Sequence, residues 1–158
     1  MEKGAWKAYA LWILLAEAVG ALSGFLSRGG TELYAQTIVK PPLSPPGVVF
    51  PIVWSILFAL MGIGTARIYL APPSQQRTAA LRSFVLQLAF NFFWSLIFFN
   101  LQRFDLAFLW LVILWGLILR MILAFRKVDP AAAWLQLPYL LWVTFAGYLN
   151  LGVWILNR

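Results

Sequence analysis

The chain contains no cysteine and no histidine. Without cysteine there is no disulfide framework, no thiolate metal site and no thiol nucleophile. Without histidine the commonest metal ligand and the usual neutral-pH general base are both missing. The sequence therefore predicts no metal centre, no required cofactor and no catalytic residue of the ordinary acid–base or nucleophilic kind. Charge is also scarce. Only 11% of the 158 residues are charged and 63% are hydrophobic, which is too apolar for a soluble domain of this length. The net charge of +7 does not point to nucleic acid, because the basic residues cluster at the ends of apolar runs. Membrane topology accounts for that placement, and the expected partner is the lipid bilayer.

Five apolar runs approach or exceed the roughly 20 residues needed to cross a bilayer. They cover about 6–26, 48–70, 80–100, 104–125 and 131–156. A backbone in lipid must satisfy its own hydrogen bonds, and these runs lack the alternation of a membrane barrel strand. The expected fold is an all-α integral membrane protein, one domain over 1–158 with five transmembrane helices. The first run continues to Leu26, so it reads as a span rather than a cleaved signal peptide. Five spans put the termini on opposite sides. One side carries Lys3, Lys7, Arg67, Arg77, Arg82, Arg120, Arg126 and Lys127, and the other Arg28, Lys40, Arg103 and Arg158. The positive-inside rule then places the N-terminus in the cytoplasm of a bacterial cell and the C-terminus outside.

Between the first two spans, Pro41, Pro42, Pro45, Pro46 and Pro51 crowd a short stretch that also holds Gly47. Proline fixes φ, removes a donor and pushes the preceding residue toward extended geometry. The expectation is a stiff loop acting as a lid over a cavity among the helices. Gly29-Gly30 is expected to break the first helix, with a short interfacial turn over 31–36. In the second span Trp54 and Phe58 lie four residues apart. Small residues recur on the first span (Ala16, Gly20, Ser23, Gly24, Ser27) and on the second (Ser55, Ala59, Gly62, Ala66), allowing close helix approach. Glu17 lies mid-span, where an ionisable group is costly. It is either a functional group or a protonated carboxyl bonded to a neighbouring helix.

Gln87, Asn91 and Ser95 recur every four residues and form a polar stripe on the third span, with Trp94 beside it. Amides in hydrocarbon need partners. Two readings stay open: interhelical hydrogen bonds that hold the bundle, or a stripe facing a ligand cavity. The fifth span is expected to start after Asp129-Pro130 and to kink at Pro138. Tyr139, Trp142, Ala146 and Leu149 or Asn150 follow at helical spacing, and such aromatics serve packing or wall a flat-ligand site.

Three motifs carry a family resemblance. Lys40-Pro41-Pro42, Pro45-Pro46-Gly47, Phe50-Pro51 and Trp54 resemble the loop and second-helix signature of the TspO/MBR family, the tryptophan-rich sensory and translocator proteins. Gln87-Leu88-Ala89-Phe90-Asn91-Phe92-Phe93-Trp94 is similar to that family's third-helix motif. Pro138-Tyr139-Leu140-Leu141-Trp142 with Phe145-Ala146 and Leu149-Asn150 resembles its fifth-helix motif. The resemblance implies a five-helix bundle, commonly a homodimer, with a pocket beneath the proline loop. That pocket would bind porphyrins such as protoporphyrin IX, haem, and isoquinoline or benzodiazepine-type molecules. Carried over by motif, its residues are Tyr34, Pro45, Trp54, Phe58, Gln87, Asn91, Trp94, Trp142, Ala146 and Leu149. Two features depart from the family. Many relatives carry tryptophan near Leu43 and near Val48 or Val49, and the cholesterol motif of animal members is incomplete because Tyr148 is too far from Arg158.

The leading functional expectation is a membrane receptor, sensor or carrier that binds porphyrins and other flat hydrophobic ligands. With no histidine or cysteine as axial ligand, metal-free porphyrin is expected to bind at least as well as haem. An alternative is a light-dependent porphyrin-degrading enzyme in which Trp54 and Trp142 take part. A second alternative is a transporter or channel, although the chain shows no internal repeat.

Overall fold

The computed structural model describes residues 3–158 and is helical nearly throughout. The elements are α1 (Ala5–Leu26), α2 (Arg28–Thr37), α3 (Val49–Tyr69), α4 (Gln75–Ser95), α5 (Phe104–Arg126), α6 (Pro130–Trp134) and α7 (Leu137–Leu156). A π-helical turn over Leu96–Asn100 extends α4. The five helical stretches long and apolar enough to cross a membrane are α1, α3, α4 with its π turn, α5, and α6 with α7. α1 packs on α3 and α4, α4 on α5, and α5 on α6 and α7, while α6 reaches α3.

Sequence chemistry explains most boundaries. The Ser74 hydroxyl accepts the Arg77 backbone N–H at 3.0 Å and starts α4 at Gln75, earlier than the apolar run suggests. Residues 75–79, ahead of the expected third span of 80–100, are thus helical as well. Asp129 Oδ1 accepts the Ala131 N–H at 3.1 Å, and Pro130 occupies the first turn of α6. The fifth span is not one kinked helix. It breaks at Leu135–Gln136, so Pro138 lies in the first turn of α7, where a missing N–H leaves nothing unpaired.

Gly29-Gly30 does not break the chain either. The break is at Ser27 (φ −102°, ψ 7°), and both glycines lie inside α2. Gly30 is needed for packing. A Cβ there would meet the Phe99 carbonyl oxygen at 2.4 Å, so only glycine lets α2 rest on the π turn. The same logic closes α1 against α3. A Cβ on Gly62 would fall 2.4 Å from Ile13 Cα, and Gly20 lies under the Phe58 ring. Ala16, Ser23 and Ser27 are buried, whereas Gly24 is open. The small residues of α1 therefore serve packing within the chain at all of these positions except Gly24.

Candidate functional site: an aromatic and amide core beneath the proline loop

The polar stripe of α4 turns inward. Asn91 Nδ2 donates to the Tyr139 hydroxyl at 2.6 Å, and that hydroxyl donates to Gln87 Oε1 at 2.7 Å. All three residues are buried. Gln87 Nε2 reaches only Met61 Sδ at 3.8 Å, a weak acceptor. The amide oxygen of Asn91 accepts no hydrogen bond among the described residues. The stripe is therefore interhelical glue in part, with amide capacity left over. Ser95 faces less deeply and is half-buried.

Aromatic rings stand on this network. Trp54 lies 5.6 Å from the Phe58 ring and 6.2 Å, edge-on, from Tyr139. Ala146 and Leu149 are buried on α7, and Ala146 belongs to the same core as Phe58 and Tyr139. Trp94 stacks on Phe98 at 5.0 Å and donates to Asn150 Oδ1 at 3.1 Å, while Asn150 Nδ2 donates to the Phe104 carbonyl. Tyr34 on α2 packs against Phe98 and Phe99 in this second cluster. Its hydroxyl is pushed above the ordinary phenol range by burial. The π turn brings Phe98 and Phe99 between Tyr34 and Trp94, as such turns often do near functional sites.

Trp142 packs against the outer edge of the first cluster. It meets Phe50 edge-on at 5.9 Å and lines an apolar groove of about 500 Å³ between α3 and α7, together with Leu57, Pro138 and Phe145. The expected residues thus fall in three places: Trp54, Phe58, Gln87, Asn91 and Ala146 in the first cluster, Tyr34 at the second with Trp94 packed against both, and Trp142 at the groove on the rim of the first. Pro45 is half-buried in the loop itself.

The loop is tied to α7. Asn157 Oδ1 accepts the Val39 N–H at 2.9 Å and its Nδ2 donates to the Val39 carbonyl at 2.7 Å. The Tyr148 hydroxyl donates to the Pro42 carbonyl at 2.7 Å. Pro41 is buried against Gly152, where a Cβ would lie 2.6 Å from the proline ring. Within the loop, the Ser44 hydroxyl donates to the Pro41 carbonyl at 2.7 Å, and Leu43 takes φ +70°. Lys40 Nζ donates to the Tyr34, Ala35 and Ile38 carbonyls and covers the Tyr34 ring at 4.8 Å, which caps α2.

Sequence reasoning noted Tyr139 and Asn150 at helical spacing on the last span but left them out of the candidate site, and it gave Tyr148 and Asn157 no part in it. Each is a polar side chain on the last span, which was the available signal, but its partner lies 48 or more residues away. Glu17 is half-buried and makes no hydrogen bond or ion pair among the described residues. Among those residues no three His, Cys, Asp or Glu side chains come together as a metal site.

These features define an all-α, multi-pass integral membrane protein in contact with the lipid bilayer, with an aromatic and amide interior under a proline-rich loop. Residues 12–155 match the family model of the TspO/MBR family. The chain is 37% identical over 149 residues to the tryptophan-rich protein TspO of Chlorobaculum tepidum, covering 94% of each. It is 35% identical over 150 residues to protein CrtK of Rhodobacter capsulatus, covering 94% of this chain and 92% of that one. It is 32% identical over 147 residues to the translocator protein of Bos taurus, covering 92% of this chain and 87% of that one. The chain belongs to the TspO/MBR family.

Proposed function

We propose that this protein is a membrane receptor or sensor that binds porphyrins, protoporphyrin IX foremost, and other flat hydrophobic molecules under the proline loop. One observation carries the proposal: Trp54 and the incompletely paired amides of Gln87 and Asn91 meet at Tyr139. A flat ring system gains stacking area on tryptophan, roughly 0.5–1.5 kcal/mol per aromatic pair beyond burial. Two amides then orient its polar edge, following the mostly apolar design of small-molecule pockets. Trp142 would border the ligand from the α7 side, and Tyr34 and Trp94 would close the far wall. No cofactor is required, and the porphyrin is the ligand. On the same reading the protein is a homodimer in a bacterial cell membrane, with its N-terminus in the cytoplasm.

The test is a titration of the purified protein with protoporphyrin IX, following tryptophan fluorescence in the dark and under illumination. Saturable quenching, weakened in Asn91→Ala and in Trp142→Phe, is the expected result. Linear quenching unchanged by either substitution means that porphyrin merely dissolves in the micelle, and the proposal fails. A new absorbing product formed only in light makes the protein an enzyme rather than a receptor.

A further inference from the structure

At the end of the bundle opposite the proline loop, three elements line an open surface cavity of about 270 Å³. Tyr9 comes from α1, Arg67, Leu70 and Ala71 from the end of α3, and Val128 and Asp129 from the turn before α6. Arg67 Nε donates to Asp129 Oδ2 at 2.7 Å, while Asp129 Oδ1 is spent on the α6 cap. The carboxylate is therefore engaged at both oxygens and fixes the guanidinium in place. Besides Asp129, the Arg67 guanidinium has only the Tyr9 hydroxyl as a facing polar partner among the described residues, which leaves its terminal nitrogens short of acceptors.

The surroundings are basic. Arg77 donates through Nε and Nη2 to the Tyr69 carbonyl at 3.1 and 2.9 Å, beside Leu70. This offsets the negative end of the α3 dipole, which would otherwise repel an anion. Arg126 and Lys127 are exposed and lead directly into Val128. Asp129 is the one acid lining the cavity among the described residues. The cavity lies where the apolar spans end, the end of a span being where headgroups are met, and Leu70 and Val128 supply an apolar wall.

We infer that this cavity binds a phosphate group, with Arg67 as the principal ligand and Tyr9 as a second donor. Guanidinium matches phosphate geometry through paired N–H donors. Basic pockets between the ends of transmembrane helices suit the headgroups of acidic phospholipids. The shared chemistry is a phosphate, either on a lipid of that leaflet or free in solution. The site is separate from the porphyrin pocket, and neither needs the other.

The experiment uses the full chain, purified in detergent and loaded with phosphatidylglycerol or phosphatidylcholine, with retained lipid counted by native mass spectrometry. Phosphatidylglycerol should be retained in preference, and Arg67→Gln should lower its retention roughly tenfold, the scale of a lost charge-assisted contact. Asp129→Asn should raise retention, because asparagine keeps the helix cap but removes the competing charge. Arg120→Gln, an arginine outside the cavity, should change nothing. Loss of lipid in both Arg67→Gln and Asp129→Asn, or in neither, would make the pair a structural tie and overturn the inference. An equal loss in Arg120→Gln would reduce it to diffuse surface charge and overturn it too. Inorganic phosphate that displaces the lipid assigns the site to free phosphate. Failure to displace it assigns the site to the headgroup.

Discussion

Tyr139 is the residue at which Trp54 of α3 and Gln87 and Asn91 of α4 meet α7. Among the described residues its hydroxyl is the only link between the two amides. Tyr139→Phe leaves a buried Asn91 N–H and a buried Gln87 oxygen without a partner. Each unpaired group costs about 1–3 kcal/mol, so a clear drop in melting temperature in detergent is expected. A melting temperature within error of wild type would show that the hydroxyl is replaceable, for example by water. Gly62 works by absence. A side chain there meets the α1 backbone at Ile13, which cannot give way as the tip of a flexible side chain can. Gly62→Val should therefore cost at least the roughly 1–3 kcal/mol of an overpacked core, read by the same melt. Gly24→Val, on the open side of α1, is the matched control.

At the scale of elements, the proline loop and the last two turns of α7 form one unit. Asn157 pairs with both backbone groups of Val39, Tyr148 holds Pro42, and Gly152 receives Pro41. The loop has few internal bonds of its own, so its position depends on α7. Asn157→Ala combined with Gly152→Val should release it. Hydrogen exchange or proteolysis over residues 38–48 is then expected to rise while the spans stay protected. Unchanged protection in the double variant would show that proline stiffness alone holds the loop. The stiffness was legible in Pro41, Pro42, Pro45 and Pro46. The attachment was not, because Val39 and Asn157 are 118 residues apart. Local breaks were misread for a related reason. Gly29-Gly30 is flexible by itself but helical here, because glycine lets α2 approach Phe99.

On the scale of the whole molecule, five spans require the proline loop and the α3–α4 turn to lie on opposite sides of the membrane. The absence of cysteine makes the check direct. Leu43, 81% exposed, and Ser74, also exposed, are good positions for a single introduced thiol. With an impermeant maleimide on intact cells, Leu43→Cys should be labelled and Ser74→Cys should react only after lysis. The reverse pattern would invert the orientation drawn from eight basic residues against four.

The number of spans, their helical nature and the family follow from the sequence by itself. Long apolar runs without the alternation of barrel strands leave the helix as the backbone solution in a medium without water, and the three motifs are local in the chain. The stripe of Gln87, Asn91 and Ser95 was legible as polar, but its two readings were equal there. Only the tertiary structure supplied Tyr139 as the shared partner, set Trp142 at a groove on the rim of the core, and tied the loop to Asn157. Each of those depends on which faces of distant helices meet. Periodicity along one helix tells which residues share a face, but not what that face touches.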